Sequence, residues 1–207
     1  MVTMKLIALS GGIAAGKSTI ARRLSELGAV HIDADQLARE AVEPGSSGLR
    51  AIRQRFGDEV IAPDGSLDRA RLGELVFSDR AALADLNRIV HPEVRRLGAQ
   101  YIAAAEAADP DAVVIYDVPL LAESEVPMDW DLVVIADAPV ETRIKRMIEL
   151  RGMSREDAER RVANQASDEA RRKLADVIID TSGSEQHTVE QTDALWGRLR
   201  TEPVRSS

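Results

Sequence analysis

Lys5-Leu-Ile-Ala-Leu-Ser-Gly-Gly-Ile-Ala-Ala-Gly-Lys-Ser-Thr19 decides the fold. Its apolar run, Lys5 to Leu9, reads as a short buried parallel strand ending in a tight turn. From Gly11 to Ser18 the chain matches GxxxxGK[ST] in full, between a strand and a helix opening near Lys17, the context that gives the pattern meaning. A chance match in 207 residues is on the order of one in a hundred. Glycines let backbone N–H groups turn inward around a phosphate, and the helix dipole adds positive potential. Gly11, Gly12, Ile13, Ala14, Ala15 and Gly16 therefore form the cradle for a nucleoside triphosphate, ATP. Lys17 reaches the β- and γ-phosphates, Ser18 ligates Mg2+, and Thr19 touches the α-phosphate.

Outward from this loop, the helix stops near Gly28, a C′ glycine, and Val30-His-Ile32 forms a second strand closed by Asp33. Residues 36–108 read as a mostly helical insertion, broken at Pro44 to Gly48, at Gly57, at Pro63-Asp-Gly65 and at His91-Pro92. Ala112–Tyr116 and Leu132–Ala136 have strand length and composition, each followed by Asp and then Pro. After Pro139 come an Arg-rich helix and a second helix marked by Ser154-Arg-Glu-Asp157, close to a capping box. This pair reads as a lid. Val177–Ile179 is a fifth strand, and a last helix runs from about Val189 to Leu199, with a frayed tail from Thr201.

The expectation is one α/β domain. A five-stranded parallel sheet flanked by helices forms its core (1–35, 109–139 and 174–200), with a helical substrate region over about 36–108 and a lid over about 140–173. Ligands of such sheets sit outside the carboxyl ends of the strands. Gly11, Asp33, Asp117, Asp137 and Asp180 each follow an apolar strand and should gather there.

Composition narrows the chemistry. The apolar share of 44% and charged share of 30% belong to an ordinary globular chain. No run approaches a membrane span, and Leu6 to Leu9 is too short for a secretory signal, so a cytoplasmic address is expected. The absence of cysteine removes disulfides, thiolate metal sites and thiol nucleophiles. A net charge of −8 argues against nucleic acid as a partner. Positive charge is concentrated locally: Glu141 to Lys173 holds ten Lys or Arg against seven Asp or Glu, mostly arginines suited to bidentate phosphate contacts. A small-molecule substrate and a monomer or weak homo-oligomer are expected.

A kinase must align a hydroxyl with the γ-phosphate and accept its proton. A carboxylate on the neighbouring strand tip, Asp33, is the candidate base. Asp35 is either a ligand or the N-cap of a helix starting at Gln36. Asp117 either helps hold the metal through a water or satisfies backbone groups before Pro119. Arg143, Arg146 and Arg151 are spaced to share roughly one lid-helix face, with Arg146 the first choice for the transferring phosphoryl group and Arg161 the second. His91 before Pro92 reads as a helix-end residue.

The residues resemble the bacterial dephospho-CoA kinases from about Lys5 to Gly183. The likeness rests on Gly11 to Thr19, Ile32-Asp-Ala-Asp35, Val42-Glu-Pro-Gly45, Phe56-Gly57, Asp64-Gly-Ser66, His91-Pro92, Val118-Pro-Leu-Leu121, Gln165 and Ala175 to Asp180. The resemblance implies transfer of the ATP γ-phosphate to the ribose 3′-hydroxyl of dephospho-CoA, on a P-loop core with a helical substrate region and a lid. It implies Asp33 as base, Lys17 and Arg146 as phosphate contacts, and the loop after Asp180 near adenine. Three positions depart from the family's pattern: Arg143 where glutamine is usual, Ala122 where an aromatic is common, and Thr181 where asparagine is usual. None is expected to touch the chemistry. The rival within the class is a nucleoside monophosphate kinase, which calls for more arginines around its acceptor. The rival outside it is a nucleotide switch, disfavoured because no NKxD is present and the one DxxG, Asp180 to Gly183, follows the last strand.

Overall fold

The computed structural model describes residues 4–122 and 128–201. Its sheet is built from β1 (Lys5–Gly11), β2 (Val30–Asp33), β3 (Val113–Asp117), β4 (Leu132–Asp137) and β5 (Val177–Asp180), in the order β2-β3-β1-β4-β5. All strands are parallel. Leu9 pairs with Asp117, Gly11 with Ala136, and Asp137 with Asp180. The expected runs thus end together at one carboxyl edge, with the phosphate loop leaving the central strand. The chain order reverses direction around β1, the position where open α/β sheets bind ligands.

The three central strands, β1, β3 and β4, are largely buried because their residues are apolar on both faces, whereas the edge strands β2 and β5 leave Val30 and Ile178 exposed. Ile7, Leu9, Val113, Ile115, Val134, Ala136 and Ile179 pack with Ile20 and Leu24 of α1 (Lys17–Glu26) and with Leu195 and Leu199 of α9 (Glu185–Thr201). Burying one such side chain is worth roughly 1.5–3 kcal/mol. This cluster therefore anchors the strand preceding the loop and the helix following it. The last helix begins four residues before its expected start and remains helical to Thr201, where fraying was expected; the rest of the tail lies outside the described residues. Ser184 explains the earlier start: its Oγ accepts from His187 N–H at 3.2 Å.

By contact the chain divides into two units, one running to Ile32 and resuming at Ala105, the other Asp33–Ala104. The second unit contains α2 (Ala34–Glu40), α3 (Ser47–Phe56), α4 (Arg69–Phe77) and most of α5 (Arg80–Ala108). The expected break at His91-Pro92 is absent: α5 is continuous, with Pro92 inside it. Both residues and Arg88 are exposed, so water can satisfy the Arg88 carbonyl that loses its donor to the proline ring. Asp79 supplies the break that sequence reading missed, its Oδ1 accepting from Ala81 N–H at 2.8 Å to start α5. Pro92→Ala restores the donor and is expected to stabilise the protein by about 1–2 kcal/mol, after allowing for the freer unfolded chain. Thermal unfolding checks this, and a lower melting point would contradict it.

The segment read as a lid holds three helices, where two are expected from the sequence: α6 (Val140–Arg151), α7 (Arg155–Ala163) and α8 (Asp168–Leu174). The third is only seven residues long, too short for an apolar period, but Ser167 caps it by accepting from Ala170 N–H at 3.1 Å. The expected cap at Ser154 forms, with Asp157 N–H donating at 3.1 Å. No helix among the described residues is long and apolar enough to cross a membrane.

Candidate active site at the phosphate loop

The loop backbone is shaped for an anion. Ala14 and Gly16 adopt left-handed conformations, with φ of 58° and 85°, and Ala15 N–H donates to Gly12 carbonyl at 3.0 Å. Such alternation turns successive amides to one side. Gly16 is the N-cap of α1 but has no side chain to offer, and the first turn carries no acid, so the amides there keep their positive potential. Ser18 is exposed in that first turn, its hydroxyl accessible to a ligand.

Lys17 Nζ donates to Asp117 Oδ1, joining the loop to the end of β3. Asp117 is only 6% exposed, and His31 Nε2 stands 3.8 Å from its other oxygen. Burial alone would push this carboxyl up; the His31 interaction and the Lys17 charge outweigh it and hold the group below the usual carboxylate range. The contribution of such a depressed group is fully present above its unfolded value, 3.8, and is lost as pH falls through the lower folded value. Asp117→Asn is therefore expected to lower the stability of the nucleotide-free protein near neutrality, with the gap to wild type narrowing once pH drops below 3.8. Urea unfolding across pH 7 to 3 reads this, and a gap independent of pH would contradict it.

The donor set also fits magnesium. Ser18 and Asp117 are hard oxygen donors, one exposed and one held ionised, and no group of three or more His, Cys, Asp or Glu among the described residues makes an all-protein cage. Mg2+ of this kind rests on one or two protein oxygens together with substrate phosphates.

Residues far along the chain hold the loop one position at a time. Gln165 Oε1 accepts from Ile13 N–H at 2.8 Å. Arg146 donates to Ala14 carbonyl at 3.3 Å and also to Thr181 carbonyl. Thr181 Oγ1 donates to Ala15 carbonyl and lies 2.9 Å from Asp137 carbonyl. At Gly12 a Cβ would stand 2.3 Å from Arg143 Nη1. Ile13 and Ala14 also pack on a cluster of Ile144, Met147 and Ala158 from α6 and α7, which accounts for apolar residues inside a phosphate loop.

The other strand-end carboxylates have separate tasks. Asp137 accepts from Arg172 at 2.8 Å, and Asp180 Oδ1 accepts from Ser182 N–H at 2.8 Å. In the second unit, Asp33 is the N-cap of α2, its Oδ1 accepting from Asp35 and Gln36 N–H at 2.8 and 3.3 Å. This corrects the alternative that Asp35 caps a helix from Gln36: the helix starts at Ala34 and Asp35 lies exposed in its first turn. His91 is likewise mid-helix, not terminal. The shared arginine face does not form. Arg143 is buried, Arg146 half-buried and Arg151 exposed, since five positions beyond Arg146 is about 140° around a helix. Arg161 is also exposed, on α7.

The dephospho-CoA kinase family profile matches residues 5–187. The chain belongs to the dephospho-CoA kinase family. A dephospho-CoA kinase of Leifsonia xyli is 57% identical over 95% of this chain and 100% of its own length. One from Thermobifida fusca is 46% identical over 95% of this chain and 97% of its own. A crystal structure from Thermus thermophilus superimposes with a TM-score of 0.81 at 33% identity, covering 95% of this chain and 98% of that one. Two of the three departures from the family pattern, Arg143 and Thr181, touch the loop backbone. Sequence reading also missed Asp168, Arg171 and His31. The arginine-rich stretch that contains the first two was its only signal.

Proposed function

We infer that this chain transfers the γ-phosphoryl group of ATP to the ribose 3′-hydroxyl of dephospho-CoA, giving coenzyme A and ADP, the last step of CoA biosynthesis. The observation that carries the reading is the phosphate loop at the carboxyl edge of the central strand, tied through Lys17 to Asp117 and through Arg146 to the lid helix, in a chain of this family.

In the proposed mechanism Gly11 to Thr19 hold the triphosphate by backbone amides, and Lys17 moves from Asp117 to the β- and γ-phosphates. Ser18 and Asp117 would hold Mg2+, which would supply positive charge against the triphosphate. Arg146, already on the loop at Ala14, places its guanidinium beside the transferring group. The 3′-oxygen attacks the γ-phosphorus in line as the bond to the β–γ bridging oxygen breaks, so ADP departs with that electron pair. The hydroxyl proton passes to Asp33, whose Oδ1 is committed to the cap and whose second oxygen accepts it. A specific observation favours Asp35 as the alternative base: it follows the same strand and carries no described side-chain hydrogen bond. The rest of the acceptor is assigned to the helical unit. A cavity of about 390 Å³ there is walled by Val42, Ile52, Leu72 and Val90, with Arg69 and His91 as polar points. Such an apolar recess with few polar groups suits a long, mostly uncharged arm.

The test is an ADP-release assay with Mg-ATP and, in parallel, dephospho-CoA, adenosine, AMP, CMP and shikimate. Turnover is expected with the first alone. Turnover confined to any other acceptor would overturn the substrate, and no turnover with any would overturn the kinase.

A further inference from the structure

Behind the phosphate loop lies a charge cluster that the reaction above does not use. Arg143 on α6 is 1% exposed and Arg171 on α8 is 6% exposed, a costly placement for two guanidinium groups. They share one carboxylate. Asp168 Oδ1 accepts from Arg143 Nη2 at 2.6 Å and from Arg171 Nη2. Arg143 Nε donates to Ala138 carbonyl at 3.1 Å, and Arg171 Nη1 to Ala166 carbonyl at 2.6 Å. The nearby Asp137 already pairs with Arg172. Two cations against Asp168 leave a net charge of +1 in a buried place.

One hydrogen-bonding group of the cluster is unmatched. Arg143 Nη1 is buried and has no acceptor. It faces the backbone of Gly12: a Cβ there would meet Nη1 at 2.3 Å, Arg143 Cζ at 3.0 Å and Arg171 Nη2 at 3.1 Å. The two guanidinium groups therefore leave no room for a side chain at position 12. Burial disfavours the charged form of Arg143, and Asp168 opposes that effect. An arginine nonetheless stays protonated in proteins.

We propose that Arg143 is a positioning residue for the nucleotide's phosphate tail: with Arg171 and Asp168 it sets the shape of the loop at Gly12 and places an uncompensated positive charge behind the loop's amides. The free protein holds this charge against the loop, and a polyanion in front of the loop offsets it. Little water intervenes, so the attraction is stronger than for a surface arginine. Placing Asp168 and Arg171 on α8 also makes the third lid helix part of the loop's electrostatics. The proposal rests on the reading of residues 11–19 as the ATP site.

The experiment measures Mg-ATP and AMP affinity by titration calorimetry at low and moderate salt for wild type, Arg143→Gln, Arg143→Lys and Asp168→Asn, with melting curves for each. Arg143→Gln is expected to weaken Mg-ATP binding roughly tenfold or more while AMP affinity changes by less than about twofold, because a charge acts on the polyphosphate tail. Lysine, which keeps the charge without the fork, should recover most of the loss. Asp168→Asn takes the cluster from +1 to +2 and should bind Mg-ATP at least as tightly as wild type at low salt. A purely structural cluster would instead weaken binding in all three variants, and that result overturns the proposal, as does an Arg143→Gln affinity within twofold of wild type. If Arg143→Gln does not fold, the direction of change in Asp168→Asn decides. Wild-type protein that fails to bind Mg-ATP would remove the nucleotide reading itself, a distinguishable failure.

Discussion

Lys17→Met is expected to lower kcat/KM for dephospho-CoA phosphorylation by about 10²- to 10³-fold, the usual cost of removing one preorganised donor from developing phosphoryl charge. Methionine keeps an unbranched apolar stem, one atom shorter, but removes the cation that can serve both Asp117 and the phosphates. A stability effect accompanies the kinetic one. Asp117 has a side chain only 9% exposed, and without Lys17 it keeps only the His31 contact at 3.8 Å. Breaking one side of a buried pair leaves an uncompensated charge, worth about 3 kcal/mol. The double variant Lys17→Met with Asp117→Asn separates the two effects: its melting point should return towards wild type while turnover stays lost. Steady-state kinetics and thermal unfolding on the same preparations provide the check. Turnover within tenfold of wild type in the single variant would mean that this lysine is not the phosphate contact.

Asp33→Asn is expected to reduce kcat by about 10²- to 10⁴-fold, the range of a positioned base, with Mg-ATP affinity and melting point nearly unchanged. The choice of asparagine matters because Asp33 caps a helix besides its proposed role as the base. Its Oδ1 caps α2 through Asp35 and Gln36 N–H, and asparagine caps a helix about as well as aspartate. Alanine would confound base and cap. Asp35→Asn is the informative partner: from the first turn of α2 it removes a favourable dipole interaction worth only about 0.3–1 kcal/mol. A collapse of kcat in Asp35→Asn, with Asp33→Asn near wild type, would move the proton acceptor two residues along. Loss in both variants would leave Asp33 as base and make Asp35 a substrate contact.

The contrast between these residues shows how much could be read from the chain alone. Gly11, Asp33, Asp117, Asp137 and Asp180 were all legible as strand ends, because an apolar run that stops at a charge or a glycine is a local signal. The structure makes each the last residue of its strand. Their separate tasks were not legible. Asp137 with Arg172, and Asp117 with Lys17 and His31, depend on which strand lies beside which. The His91-Pro92 stop failed for a related reason: a proline's effect depends on whether water can reach the orphaned carbonyl, which is a property of the surface and not of the dipeptide.

Sequence alone determined the parallel sheet, the phosphate loop and the family, since strand periodicity and loop chemistry are written within some twenty contiguous residues. Only the tertiary structure decided what stands behind that loop: Gln165 on Ile13, Arg146 on Ala14, Thr181 on Ala15 and the Arg143–Asp168–Arg171 cluster on Gly12. Those partners lie more than a hundred positions away in the chain. Their meeting is set by the packing of α6, α8 and β5 against the core, which leaves no periodic trace in any short stretch of residues.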